Sequence, residues 1–327
     1  MKWDALQRFS LATPGVNWAG WYRPGAEDRR LAGKAPPGEN RAAGDGPSLG
    51  ALDLLLLHGT AGSSHCWIPV CTHLAPTVSV LIPDLPGHGQ TRCTRHGRHG
   101  IEEMAEDLQA LIQALSCGSL HLIAGHSAGA AIAIEFALAG ERGSDLALTP
   151  DAILGIAPSL VPPPSLYTLM LGPILAPLVG SRASIAVATH LARSTGLVDR
   201  LLDSTGSTIA LEQRTAYRLL LSSEEHLRGA IDFMTATDLP GLLDRLHGLR
   251  AQTAWIVASD DPWIPAARLH AILHQYLPGA PVEHCLGGHL LPESDPARIA
   301  QRIMALLGRP ANPDRPADAS TTARLSR

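Results

Sequence analysis

The feature that most constrains the fold is the pentapeptide at residues 125–129, with the sequence GHSAG. It follows the apolar run 120–124 and opens a small-residue helical stretch at 130–139. A strand, a sharp turn in which glycines flank a serine, and then a helix form the pattern of a nucleophile elbow. The glycines leave room only for hydrogen where strand and helix close on a strained turn. The pattern therefore predicts that the Ser127 hydroxyl is lifted out of a sheet.

Four other apolar runs predict strands that each end in a polar or glycine-rich turn. The last two of these turns carry Asp260, Asp261 and His289. The order Ser, Asp, His along the chain is that of the α/β-hydrolase fold. We therefore predict an α/β protein with a mostly parallel central sheet flanked by helices and a helical cap inserted after strand 6. The runs are residues 52–57, 78–82, 253–258 and 282–286, and 152–156 is predicted as strand 6.

Composition divides the chain into a core, a cap and two segments that lack core character. Roughly eighty residues of mainly helical pattern separate strand 6 from the strand at 253, more than a simple crossover needs. An early antiparallel strand is predicted near Val16, and a helix is predicted from Ile101 to Leu115. The predicted divisions are a core at 1–157 and 241–308, a flexible insertion at 25–50, a cap at 158–240 and a disordered tail at 309–327.

Charge and cysteine content exclude several classes of protein. The 26 basic and 30 acidic residues give a net charge of -4, so no global basic field attracts nucleic acid. The 5 cysteines include no CxxC pair and are odd in number, which argues against a disulfide framework or structural zinc. The N-terminal octapeptide MKWDALQR is too polar for a signal peptide. A cytoplasmic protein is therefore expected.

One uncharged stretch, residues 152–181, contains a strongly apolar part at 166–180. A membrane-spanning helix needs about 20 apolar residues without breakers, whereas prolines at positions 162, 163, 164, 173 and 177 interrupt this stretch. We interpret it as a hydrophobic lid. Three interpretations stay open: a pair of buried cap helices, an apolar substrate entrance, or peripheral contact with a membrane surface.

Ser127 needs a base, because an unassisted hydroxyl is a poor nucleophile at neutral pH. His289 is the best-placed candidate, since it follows Gly287 and Gly288 after the last strand. A carboxylate must hold that base in one tautomer. Asp261 is favoured because DPWIP matches the Asp-x-x-(Val/Ile)-Pro turn usual in this fold, and Asp260 is the alternative.

Negative charge on a substrate carbonyl oxygen needs donors that are already in position. The backbone N–H groups of Thr60 and Ala128 are the candidates for this oxyanion hole. His58 is expected to support its loop by hydrogen bonding, and His88 and His126 are interpreted as local structural residues.

The loop at 92–99 carries three arginines and has no acidic residue nearby in sequence until Glu102. It is interpreted as a solvated loop, with binding to the carboxylates of a ligand or an acidic partner as the alternative. No cofactor and no metal is predicted, because the histidines do not form a spaced ligand set and His96 with His99 is too little.

Several residues of the predicted cap indicate which family of the α/β-hydrolase fold the chain resembles. Together with the elbow and the turn at 85–89, they make the chain resemble the α/β-hydrolase-like magnesium-chelatase accessory proteins of bacteriochlorophyll biosynthesis from about Leu52 to Leu307. The insertion at 25–50 and Ala258-Ser259, where a glycine is common, depart from that pattern. The cap residues are Thr205-Gly206-Ser207-Thr208, Tyr217, His226, Gly229-Ala230, Met234 and Asp238-Leu239.

The resemblance implies a role in tetrapyrrole synthesis near magnesium insertion, with a protoporphyrin-type pigment or magnesium-chelatase subunits as partners. Two main hypotheses follow. In one, Ser127, His289 and Asp261 hydrolyse an apolar ester-type substrate through an acyl-enzyme. In the other, the fold binds a porphyrin or docks on the chelatase without catalysis. A general esterase or lipase with no pigment role is a third hypothesis.

Overall fold

The structure is a computed structural model, and it describes residues 6–25, 49–94, 99–142, 148–161, 182–194 and 196–308. Nearly all of the predicted insertion, the apolar run at 166–180 and the predicted disordered tail lie outside the described residues. Those three predictions therefore stay predictions.

The described residues form a central 9-stranded sheet, with the strand order β1-β2-β4-β3-β6-β7-β8-β9 and β5 paired to β2. The pairs from β4 across to β9 are parallel, which confirms the mostly parallel sheet. The strands are β1 (Gln7–Thr13), β2 (Val16–Arg23), β3 (Ala51–Leu57), β4 (Val80–Pro83), β5 (Arg92–Cys93), β6 (Ser119–His126), β7 (Pro150–Ile156), β8 (Gln252–Ala258) and β9 (Val282–Cys285).

The sheet begins with an antiparallel ribbon. β2 pairs antiparallel with β1, β4 and β5, as expected for the early strand. β1 was not predicted, because its exposed polar residues alternate with only two buried apolar ones, Phe9 and Leu11. The strand is visible only through its pairing with β2, in which Phe9 faces Gly20.

The central strands are buried on both faces, so they read as continuous apolar runs. In β3, Leu55 and Leu57 pack in one hydrophobic cluster, and Leu54 and Leu56 pack in the other. The first cluster includes helices α2 and α3, and the second includes α1 and α11. The helices outside the cap are α1 (Ile68–Cys71), α2 (Ile101–Ala114), α3 (Ala128–Glu141), α9 (Ala266–Tyr276), α10 (Leu291–Ser294) and α11 (Pro296–Leu306).

Between β7 and β8 the regular elements among the described residues are all helical, as the predicted cap requires. A small third core joins these helices to the sheet, and it includes Tyr217 of the cap and Leu290, the residue after His289. The limits of the cap at 158 and 240 stay a prediction. The helices are α4 (Arg182–Ser194), α5 (Leu197–Asp203), α6 (Leu211–Leu221), α7 (Glu224–Ala236) and α8 (Leu239–Arg245).

None of the helices in the described part of the chain combines the length and the apolar character needed to cross a membrane.

Candidate active site

Ser127 lies at the turn between β6 and α3 with the backbone angles φ 54 and ψ -118. A non-glycine residue at positive φ is strained, and the close packing around it explains why the turn is maintained. A Cβ atom on Gly125 would overlap the backbone of Gly129, and one on Gly129 would lie 2.7 Å from the carbonyl oxygen of His58. The glycines therefore let β6 and α3 approach closely, as the sequence predicts.

The structure brings Ser127, His289 and Asp261 into one hydrogen-bonded chain. Ser127 Oγ lies 2.9 Å from His289 Nε2, and His289 Nδ1 lies 2.7 Å from Asp261 Oδ2. All three residues are buried, with at most 7% of their surface exposed. Because Nδ1 carries the proton that faces the carboxylate, Nε2 is the acceptor that faces the serine hydroxyl.

The neighbouring acid, Asp260, points elsewhere. Its Oδ2 accepts a hydrogen bond from the backbone N–H of Gly287, and the residue is exposed. Asp261 instead is fixed from two sides, because its Oδ1 accepts hydrogen bonds from the N–H groups of Trp263 and Ile264 while Oδ2 faces His289. Of the two acids that the sequence leaves open, only Asp261 contacts the histidine.

The cap holds the loop that carries His289. The N–H of His289 donates to the carbonyl of Thr205, and the N–H of Leu290 donates to Ser207 Oγ at 2.8 Å. A Cβ atom on Gly288 would overlap the backbone of Thr205 and Gly206. The segment 205–207, which the sequence singles out only through resemblance, therefore positions the histidine.

The two predicted oxyanion donors lie on either side of the serine. Ala128 follows Ser127 directly, and Thr60 follows Gly59, on which a Cβ atom would lie 2.9 Å from that of Ser127. Within the described part of the chain, neither the N–H of Thr60 nor that of Ala128 has a hydrogen-bond acceptor. Both donors are thus available to an oxygen bound beside Ser127.

Buried histidines support the loop that carries Thr60. His58 Nε2 accepts from the N–H of Leu85, so Nδ1 donates to the carbonyl of Gly59. His226 of α7 accepts from the N–H of Gly89 through Nδ1 and donates to the carbonyl of Ala61 through Nε2. His226 therefore ties the cap to this loop.

Burial keeps these rings neutral. Desolvation, reinforced by His88, lowers the pKa of His58 well below its ordinary value. Desolvation also lowers the pKa of His88 to about 3 and that of His226 to about 4. The rings act as hydrogen-bonding supports, as expected for His58 and His88.

A second buried polar cluster lies between the cap and α10, and sequence reasoning missed it. The Tyr217 ring packs edge-on against His65 with centroids 4.7 Å apart, and His65 Nε2 lies 4.0 Å from Glu293 Oε1. Desolvation raises the pKa of Glu293 to about 8, so the carboxyl is protonated at neutral pH. Glu293 follows His289 by four residues in an apolar stretch, and that placement was the only signal in the sequence.

The arginine-rich loop is only partly described, because residues 95–98 lie outside the described ranges. Arg92 Nε lies 2.7 Å from Glu225 Oε1 of α7. The loop therefore has an acidic partner, Glu225, which lies in the cap and far along the chain from Arg92.

The chain is similar to several known proteins. A model described as the alpha/beta hydrolase family matches residues 54–302. The magnesium-chelatase 30 kDa subunit of Rhodobacter capsulatus is 34% identical over 282 residues, covering 85% of this chain and 92% of that protein.

Solved structures agree on the fold. An alpha/beta hydrolase fold protein from Burkholderia ambifaria has a TM-score of 0.67 at 18% identity, covering 92% of this chain and 98% of that one. A thermophilic esterase from Thermogutta terrifontis has a TM-score of 0.62 at 18% identity, with the same two coverages.

Proposed function

This chain belongs to the alpha/beta hydrolase family, and from that premise we propose that it is a serine hydrolase acting on an apolar, ester-type substrate. The observation that carries the proposal is the hydrogen-bonded chain from Ser127 Oγ through His289 to Asp261 Oδ2, with links of 2.9 and 2.7 Å. A structural serine has no need of a buried base oriented by a buried carboxylate.

The proposed reaction follows from the positions of the atoms. Ser127 Oγ attacks the substrate carbonyl carbon as its proton passes to His289 Nε2, and Asp261 stabilises the resulting imidazolium. The N–H groups of Thr60 and Ala128 bind the oxyanion, each worth about 3 kcal/mol to the transition state in comparable sites. His289 then returns the proton to the leaving alcohol, and a water molecule, deprotonated by the same histidine, hydrolyses the acyl-enzyme.

An apolar substrate is favoured by the character of the cap. Its helices carry large apolar side chains that the described residues leave exposed, including Val187 at 60% and Leu219 at 71%. Exposed apolar side chains are uninformative singly, but several on one small subdomain favour an apolar ligand or partner. The apolar run at 166–180 adds to this tendency.

The pathway is inferred from similarity. The relative in Rhodobacter capsulatus is named a magnesium-chelatase subunit and matches over most of both chains. We infer that this protein serves bacteriochlorophyll synthesis as a magnesium-chelatase accessory protein, with a tetrapyrrole or another hydrophobic small molecule as its ligand and chelatase subunits as partners.

The test is the intact mass of the protein after treatment with a fluorophosphonate, which modifies an activated serine whatever the natural substrate. The wild type is expected to gain one adduct, and Ser127→Ala and His289→Ala are expected to gain none. Ser159→Ala serves as a control, because its backbone N–H bonds to the carbonyl of Ser127 while its hydroxyl has no proposed role. An unlabelled wild type would refute the hydrolase proposal.

The second candidate is a porphyrin-binding or chelatase-docking protein that does not use the serine. The relative's name and the exposed apolar side chains of the cap favour it. Fluorescence quenching during a protoporphyrin titration of Ser127→Ala tests it. Saturation at micromolar pigment, together with an unlabelled wild type, would favour binding alone.

A further inference from the structure

A second group of chemically active side chains lies on the far side of β2 from β1, where β5 leads into α2. Cys93, His99 and Asp107 each direct one atom into a common space, and all of these atoms lie within 4.8 Å of one another. Asp107 is buried, and Cys93 and His99 are half-buried. None of these residues belongs to the hydrogen-bonded chain of Ser127.

The three side chains converge on a point and do not form a proton relay. In a relay, the nucleophile and the carboxylate bind opposite nitrogens of the imidazole, as Ser127 and Asp261 do with His289. Here the same nitrogen, His99 Nε2, lies 2.9 Å from Cys93 Sγ and 4.0 Å from Asp107 Oδ2. A thiol, an imidazole nitrogen and a carboxylate oxygen that face one centre are a ligand set.

The separations suit a small tetrahedral ion. Bonds of about 2.0–2.3 Å to a tetrahedral Zn²⁺ put neighbouring ligand atoms about 3.4–3.6 Å apart. The distances of 2.9 and 4.0 Å lie on either side of that range, and all of the ligand atoms lie within 4.8 Å of one another, so small side-chain rotations would bring them to metal-binding positions. Mg²⁺ and Ca²⁺ prefer oxygen ligands, whereas the mixed S, N, O set favours Zn²⁺ or a similar transition metal.

The backbone around the cluster is already ordered. Cys93 ends β5, which pairs with β2, and the N–H of Thr94 donates to the carbonyl of Gly15. His99 precedes Gly100, the residue that caps α2, and Asp107 lies in the second turn of that helix. A metal ion would therefore join the end of β5 to the start of α2.

The site also borders the cap. A Cβ atom on Gly100 would lie 2.8 Å from the carbonyl oxygen of Ala236, the last residue of α7. A metal ion that holds His99 in place would therefore also hold Gly100, against which the end of α7 packs.

We propose that Cys93, His99 and Asp107 form a transition-metal site that links the end of β5 to α2, with Zn²⁺ as the preferred ion and water as a fourth ligand. The thiolate and the carboxylate together balance the two positive charges of the ion. The Cys93 thiol gives up its proton to solvent on binding, so affinity rises with pH. The sequence did not reveal the site because its three ligands are spread over residues 93–107 without a recognised metal-binding spacing.

Co²⁺ titration of the reduced, metal-free full-length protein provides the test, because a cysteine ligand gives a thiolate-to-metal charge-transfer band and a tetrahedral ion gives visible d–d bands. One equivalent is expected to bind to the wild type, and excess Zn²⁺ is expected to abolish both bands. At free Zn²⁺ 100 times the Kd, the melting temperature is expected to rise by about 3–6 °C.

Matched variants identify the ligands. Cys93→Ser and Asp107→Asn are expected to lose the charge-transfer band or weaken Co²⁺ binding at least about tenfold. Cys117→Ser is the control, because Cys117 is also a half-buried free cysteine but lies beyond the other end of α2. Metal-free melting curves of all variants establish that they fold.

Either of two results overturns the proposal: no charge-transfer band in the folded wild type, or a band that survives Cys93→Ser and disappears in Cys117→Ser. The readouts are independent of hydrolase activity, so failure of the proposed function leaves this test intact.

Discussion

The ring of His126 donates a hydrogen bond of 2.8 Å from Nε2 to the backbone carbonyl of His289. Desolvation, reinforced by His289, lowers the pKa of His126 to about 3, so the ring stays neutral with its proton on Nε2. Because His126 directly precedes Ser127, the elbow itself fixes the backbone of the proposed base. Two hydrogen bonds therefore link the elbow to His289. One joins the side chains of Ser127 and His289, and the other joins the His126 ring to the His289 carbonyl.

Replacing Asp261 by Asn separates the two candidate acids. Asn keeps the shape of the side chain but removes the charge and favours the wrong imidazole tautomer, so the rate constant of fluorophosphonate labelling should fall by about 10³–10⁴-fold. Asp260→Asn is the matched control and should label at close to the wild-type rate. A larger loss in Asp260→Asn than in Asp261→Asn would contradict the assignment.

Ser207→Ala tests how the cap positions His289. The substitution leaves the N–H of Leu290 without its acceptor in a buried loop, so we expect a loss of about 1–2 kcal/mol in the free energy of unfolding. The labelling rate should fall several-fold, because the histidine loop loosens. Thr208→Ala, at the exposed next position, should change neither quantity. Unchanged labelling in a destabilised Ser207→Ala would assign the hydroxyl to stability alone.

The positive φ of Ser127 predicts that glycine is more stable than alanine at this position. Glycine relieves the strain at φ 54, so Ser127→Gly should be more stable than Ser127→Ala by about 1 kcal/mol in urea unfolding. At Ser119, in the extended part of β6, the order should reverse, because glycine weakens a strand. If the alanine variant is more stable than the glycine variant at both positions, the backbone of the elbow is unstrained in solution.

Buried neutral histidines predict acid sensitivity. The folded pKa values of His65, His88 and His126 are about 3, and that of His226 is about 4, whereas the unfolded value is near 6.5. Below pH 6.5 these histidines are protonated in the unfolded chain but stay neutral in the folded one. The free energy of unfolding is therefore at its full value above that pH. It should fall towards pH 4 by up to about 1.4 kcal/mol per pH unit for each ring.

Urea unfolding at several pH values between 4 and 8 measures that slope. A stability that does not change between pH 7 and 5 would refute the prediction.

Glu293 has the opposite dependence on pH. Its folded pKa of about 8 lies above the unfolded value, so its protonated form favours folding at low pH, and this contribution is lost as pH rises towards 8. Glu293→Gln removes the titration, and its stability relative to the wild type should increase with pH between about 4.5 and 8. Glu212→Gln, at an exposed position in α6, is the matched control. A constant difference between Glu293→Gln and the wild type would mean that Glu293 is ionised in the folded state.

Local pattern was sufficient for much of the architecture. The runs that became β3, β6, β7 and β8 are long and apolar because both faces of a central parallel strand are buried. β1 was missed for the converse reason: an edge strand with exposed polar residues has little signal of its own, and its pairing with β2 is a long-range property.

By itself, the sequence determined the parallel core, the elbow at Ser127 and the order of Ser, Asp and His, because each depends on residues adjacent in the chain. Only the tertiary structure shows that Asp261, and not Asp260, contacts His289, since neighbouring side chains at a strand end point in different directions. It alone brought together His65 with Glu293, Arg92 with Glu225 and Cys93 with His99 and Asp107. Such contacts join distant segments, and their geometry depends on packing that no local periodicity encodes.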